Sequence, residues 1–121
     1  MDKPQEKKQY KNDLEERTRL FAMNVRRFVR KLPKDIANNE DAKQVVRSSG
    51  SVGANYIEAN ESLSKKDFGM RVKICRKEAK ESRYWLQMFE RVENDLAKER
   101  DSLIRESVEL LKIFSSILSK L

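Results

Sequence analysis

The chain contains no histidine, one cysteine, two prolines and three glycines among 121 residues. Without histidine it lacks the commonest general base, the usual His-containing zinc sites and the Glu-x-x-His pairs with which helical bundles hold two metal ions. A single cysteine forms no intramolecular disulfide, and with no histidine beside it there is no Cys-His nucleophile. Few glycines and prolines argue against a turn-rich sheet protein and favour long helices. Long apolar runs are also missing: nothing approaches the roughly 20 residues that cross a bilayer, and "MDKPQEKKQY" has no apolar core of a signal peptide. These absences lead to the expectation of a cytoplasmic protein with no membrane partner.

What the chain has is charge. Asp, Glu, Lys and Arg make up 39% of it, with a formal net charge of +7. The excess is uneven: residues 1–36 hold 11 Lys/Arg against 6 Asp/Glu and residues 63–93 hold 9 against 5, whereas 37–62 hold 2 against 4 and 94–121 hold 5 against 5. A basic surface attracts polyanions such as nucleic acid or anionic lipid, and it also keeps a protein soluble.

Four segments carry helical periodicity, and the length is that of one domain over 1–121. Residues 1–10 are polar and are expected to fray. In the first helix Leu14, Thr18, Phe21, Val25, Phe28 and Leu32 recur in steps of four and three, one seam along a helix. Pro33 stops it, and "LPKDIANNED", Leu32 to Asp41, reads as a connection. A second helix from about Asp41 to Ser62 has its seam at Val45, Ser49, Val52, Tyr56, Ala59 and Leu63. "SKKD", Ser64 to Asp67, reads as a capping box that starts a third helix running to about Val92. A break near Asn94 precedes a fourth helix with Leu96, Leu103, Ser107, Leu110, Phe114, Ile117 and Leu121 on its core face, widened by Ile104, Val108, Leu111 and Leu118. Short connections between four such helices predict an all-α, antiparallel up-down-up-down four-helix bundle.

The stretch "RSSGSVGAN", Arg47 to Asn55, holds two of the three glycines. A Walker-type phosphate loop needs a strand before it and Gly-Lys-Ser/Thr leading into a helix, and neither is present. The seam of the second helix runs straight through the stretch, so Ser48, Ser49, Gly50, Ser51, Gly53 and Ala54 read as helix surface with little side chain. Each mid-helix glycine costs about 1 kcal/mol relative to alanine, and close approach of a neighbouring helix is the natural compensation.

On the third helix Phe68, Val72, Cys75, Ala79, Ser82, Leu86 and Phe89 share the core face. Met70, Ile74, Trp85 and Met88 form a second apolar strip, either a widening of the core or, as favoured here, a subunit interface. The remaining face carries Lys66, Lys73, Lys77 and Lys80 within roughly 60° of one another, with Arg76 and Arg83 at its edge. Such a stripe can track phosphates, with Tyr84 nearby for stacking. The alternative is a solvated face of Lys–Glu pairs such as Lys77 with Glu81. Cys75, on the core seam, reads as a packing residue.

Carboxylates remain as candidates for chemistry. Glu58 with Glu61, and Glu78 with Glu81, are spaced to face a metal or a sugar, or to anchor a partner's Lys or Arg. Glu58 is expected to make a structural polar contact with Arg47 or with a neighbouring subunit. No catalytic residue, metal ligand or cofactor is assigned, and a non-enzymatic protein is expected.

"RTRLFAMNVRRFVRKLPK" (Arg17 to Lys34), "RSSGSVGANYIEA" (Arg47 to Ala59), "SKKDF" (Ser64 to Phe68) and "KEAKESRYWLQMF" (Lys77 to Phe89) together resemble a known family. It is the group of four-helix-bundle proteins encoded in intervening sequences of bacterial 23S ribosomal RNA genes, sometimes labelled S23 ribosomal proteins. The Ser-Val-x-Ala-Asn-x-x-Glu-Ala pattern, Ser51 to Ala59, is its most specific element. The resemblance extends to the accessory variability determinant of diversity-generating retroelements, a basic pentameric barrel of four-helix protomers that associates with a reverse transcriptase and nucleic acid. It implies a homopentameric ring, and it brings no catalytic motif. Ser51, Ala54, Asn55, Glu58, Phe68 and Trp85 match the family pattern and are implied determinants of fold and assembly. With Gly53, Met70, Ile74 and Met88, all but Phe68 make up the expected helix-packing and oligomer interface.

Three functions are weighed, the least favoured being an enzyme or metal carrier that uses Glu58, Glu61, Glu78 or Glu81. In the first, an oligomer binds RNA or DNA through Arg26, Arg27, Arg30, Lys31 and Lys34 of the first helix and Lys66, Lys73, Arg76, Lys77, Lys80 and Arg83 of the third. In the second, the bundle is a scaffold or accessory subunit for another protein, such as a reverse transcriptase, and the charges only steer or solubilise.

Overall fold

The computed structural model describes residues 4–121, with side chains from Asp13 onward. Of the frayed terminus expected over residues 1–10, residues 1–3 lie outside the described residues, whereas residues 4–10 belong to α1. Four helices make up the chain: α1 (Pro4–Arg30), α2 (Ile36–Asn60), α3 (Lys65–Leu86) and α4 (Asn94–Ser119). No strand occurs among the described residues. Each helix packs on its neighbours in sequence and α4 returns to α1, while α1 and α3 share no contacts and stand at diagonal corners. The α2–α3 interface is the most extensive and α1–α4 the sparsest.

The expected seams form the core. Phe21, Val25 and Phe28 of α1, Val45, Val52 and Tyr56 of α2, Val72, Cys75 and Ala79 of α3, and Leu110 and Phe114 of α4 are all buried. Each fully buried Phe, Leu or Val contributes about 1.5–3 kcal/mol relative to exposure. Phe28 meets Phe89 edge to face at 5.6 Å and 72°.

The ends of the other elements also differ from the sequence reading. The α1–α2 connection is short, because the Asp35 carboxylate accepts the Asn38 N–H at 2.7 Å and starts α2 at Ile36 rather than near Asp41. At the other end α2 stops at Asn60, so Leu63, expected on its seam, is fully exposed in the turn. Ser64 caps α3 as anticipated, accepting the Asp67 N–H at 3.1 Å. Yet α3 ends at Leu86, six residues before Val92, and Phe89 reaches the core from a loop whose Phe89 carbonyl accepts a 2.7 Å hydrogen bond from Arg100. Leu121, expected on the α4 core face, is 43% exposed. Asn94, at φ 54°, turns the chain into α4 through the left-handed region that asparagine tolerates.

The small-residue stretch lies inside α2, and its two glycines differ. A Cβ on Gly53 would lie 2.8 Å from Thr18 Oγ1, itself fully buried and donating back to the Leu14 and Glu15 carbonyls at 2.9 Å. On the opposite flank of α2, Ser48 and Ser82 of α3 share a buried 2.8 Å hydrogen bond. Gly50 instead faces the guanidinium of Arg26, 3.3 Å from where its Cβ would sit. Gly53→Ala is therefore expected to destabilise the bundle by about 1–2 kcal/mol, overpacking outweighing the gain in helix propensity. Gly50→Ala, where only a flexible side-chain end must move, is expected to be neutral or to stabilise by up to about 1 kcal/mol. Thermal denaturation of the two variants checks this, the expected order of melting temperatures being Gly50→Ala at or above wild type, with Gly53→Ala several degrees below.

Candidate nucleic-acid interface

The phase of α3 is set by its core residues, and it places Lys66, Lys73, Lys77 and Lys80 in solvent on the opposite side. Arg76 and Arg83, at the edge of the stripe, are half-buried. None of these six cations has a carboxylate within ion-pair distance among the described residues. The Lys77–Glu81 pair that would make the face an ordinary solvated one does not form. Glu81 turns instead towards α2, where its Oε2 lies 3.5 Å from Arg47 Nη2. Like charges three and four residues apart oppose the helix by a few tenths of a kcal/mol per pair, so the unneutralised stripe carries a small standing cost.

Arg47 is the residue that draws the acids away. Its Nη1 also lies 3.8 Å from Oε2 of Glu78, too long for a hydrogen bond, and that buried oxygen has no hydrogen-bond partner. Burial raises the Glu78 carboxyl above its ordinary value of 4.5; Glu81 adds to the rise, and Arg47 and Lys77 oppose it. Glu58, expected to meet Arg47 or a neighbouring subunit, makes no ion pair with Arg47; it is exposed and lines a groove with Glu61, Asp67, Met70 and Arg71. The helical phase of Arg47, facing α3 rather than along α2, is the signal that sequence reasoning passed over.

The basic residues of α1 are less free. Arg26 is half-buried, donates to the Ala22 carbonyl at 3.0 Å and lies over Gly50. Arg27 donates to Asn24 at 3.0 Å, and Lys31 pairs with Glu99 at 3.0 Å. Arg30 and Lys34 are exposed and make no ion pair among the described residues. Because α1 and α3 are diagonal, the two basic faces point away from opposite sides of one protomer and do not merge into one surface.

The residues expected at an interface divide by location. Gly53 is buried between α1 and α2 and serves packing within the bundle. The Ser51 hydroxyl accepts from Asn55 Nδ2 at 2.9 Å, and Asn55 Oδ1 accepts from Arg71 at 3.2 Å, so this pair ties α2 to α3. Ala54, Glu58, Met70 and Met88 are exposed, while Ile74 and Trp85 are half-buried, with Trp85 against the core. The apolar strip on α3 is not continuous: Glu78 and Glu81 interrupt it between Ile74 and Trp85, and Met88 belongs to the loop after Leu86. Two exposed isoleucines of α2, Ile36 at 86% and Ile57 at 50%, were not singled out in the sequence.

Among the described residues no three Asp, Glu or Cys side chains cluster as a metal site. Cys75 is buried and its thiol is pushed up to about 12 by burial, which removes the thiolate. No described helix is long and apolar enough to cross a membrane.

Helix order, caps and the exposed cationic face define a basic antiparallel four-helix-bundle protein. The sequence profile of the 23S rRNA-intervening sequence protein family matches residues 10–116, and the chain belongs to that family. A solved structure of a protein of unknown function from the S23 ribosomal protein family, from Bacteroides thetaiotaomicron, is similar, with 28% identity, 90% of this chain and 97% of that one covered, and a TM-score of 0.75. No match to a curated protein was found.

The buried carboxyl gives a test of the Arg47 cluster. Glu78 binds its proton in the folded chain at pH values where the unfolded chain has already released it, so stability falls as pH rises through that window above 4.5. Glu78→Gln is expected to flatten the slope and to raise stability at about pH 8 by roughly 1 kcal/mol. Urea denaturation at about pH 5 and pH 8 measures it; an unchanged slope would show that Glu78 is not the linked group.

Proposed function

We propose that this is a cytoplasmic, non-enzymatic protein that binds nucleic acid, RNA or DNA, through the lysine face of α3, which a homopentamer presents five times. The observation that carries this reading is the set of four exposed lysines with no acidic partner, beside two glutamates that pair across to α2 instead. Weak phosphate contacts repeated on one ring add by multivalency. Arg27, Arg30 and Lys34 of α1 are secondary contacts on the far side of each protomer.

The test is a titration of labelled structured RNA and a matched DNA duplex, followed by anisotropy at about 50 and 200 mM salt. Binding is expected to weaken steeply with salt, and Lys73→Glu, Lys77→Glu and Lys80→Glu together are expected to lower affinity by at least about tenfold at low salt. No binding at low salt, or tight binding insensitive to salt, would overturn the reading. Light scattering is expected to give the mass of five protomers; a monomer would remove the multivalent part.

A second reading, a scaffold or accessory subunit for a protein such as a reverse transcriptase, is favoured by Ile36 and Met88, exposed apolar side chains that line one groove beside the α1–α2 connection. It requires that a partner stay bound after the lysines are neutralised.

A further inference from the structure

Tyr84 is the one exposed aromatic side chain among the described residues, at 53%. Its position is not arbitrary. At about 100° per residue it shares the azimuth of Lys66 and falls within the spread of Lys73, Lys77 and Lys80, so it ends the lysine stripe about 6 Å along the axis beyond Lys80. The ring is braced rather than loose: Trp85, half-buried against the core, meets it edge to face at 4.9 Å and 81°. A T-shaped contact occupies at most one face of the tyrosine, and with the residue 53% exposed the ring is accessible from solvent. Glu81, three residues before Tyr84 on the same helix, is paired with Arg47.

A single row of cations ending in an open aromatic face fits one particular form of nucleic acid. One row of lysines follows one sugar-phosphate backbone, and every base has a π-face that stacks on an aromatic ring when it is unpaired. A duplex keeps those faces inside its own stack and leaves Tyr84 nothing to cover. We infer that α3 binds a single-stranded segment, with phosphates along Lys66, Lys73, Lys77 and Lys80 and an unpaired base stacked on Tyr84. This rests on the nucleic-acid reading above and narrows it.

The experiment uses the full chain and two labelled RNAs, a twelve-residue oligouridylate and a blunt duplex of the same length. The variants are Tyr84→Ala, Tyr84→Phe and the triple lysine-to-glutamate substitution at 73, 77 and 80, each checked for wild-type helicity. Tyr84→Ala is expected to weaken oligouridylate binding at least about fivefold and to leave duplex binding unchanged. Tyr84→Phe, which keeps the ring, is expected to stay near wild type. Trp85 is the only tryptophan, and its emission is expected to change with oligouridylate and not with duplex. If Tyr84→Ala binds oligouridylate like wild type while the triple variant fails, the stacking inference is overturned and the polyanion reading stands. If the triple variant also binds undiminished, both fall.

Discussion

The close approach of three helices around the middle of α2 is the constraint on which the rest of the bundle depends. Gly53 lets the α1 backbone at Thr18 come nearer than any side chain would permit, and the buried Ser48–Ser82 hydrogen bond does the same for α3 on the other flank. Small residues alone give little burial, so the stabilisation comes from the large side chains that close packing there lets the neighbouring helices bury, among them Phe21, Phe28, Leu86 and Phe114. Thr18 and Ser82 satisfy their hydroxyls on carbonyls of their own helices, so neither buries an unpaired donor there.

That packing also fixes the rotation of α3, and the rotation fixes its electrostatics. With Ser82 held against Ser48, Glu78 and Glu81 lie on the flank nearest α2, where Arg47 projects across to both. Lys73, Lys77 and Lys80 of the same helix lie on the outer side without ion-pair partners among the described residues. The basic face is a consequence of helix phase and of one arginine on a neighbouring helix; the abundance of lysine alone would not produce it. Most of the other ion pairs, such as Arg19 with Glu16 and Lys112 with Glu109, close within a single helix and are worth little.

Helix number, order and most of the core were legible in the sequence because apolar residues recur at steps of three and four, and that period survives any tertiary detail. Of the ends, the Ser64 cap was readable and the Asp35 cap was not recognised, since Pro33 two residues earlier suggested a longer loop. The early end of α3 was hidden because Phe89 continues the periodic pattern after the helix has stopped, its loop held by Arg100 from α4. The lysine stripe was visible as a pattern, but its freedom from acids depended on Arg47, a cross-helix contact that periodicity within one segment cannot reveal. Arg47, one of the two partners the sequence suggests for Glu58, reaches across to Glu78 and Glu81 of α3 instead.

Diagonal placement of α1 and α3 has a consequence for any polyanion larger than one protomer. A single bundle shows it either the face of α3 or that of α1, and only copies arranged around it would present equivalent faces together. The α1 face is the weaker of the two, because Arg26 is engaged with Ala22 and Gly50 and Lys31 with Glu99. Displacing Arg26 would uncover Gly50 at the α1–α2 contact, whereas the α3 lysines would take up a phosphate without breaking an internal ion pair. Of the two basic faces, the one already free of internal partners is the one from which binding costs the fold least.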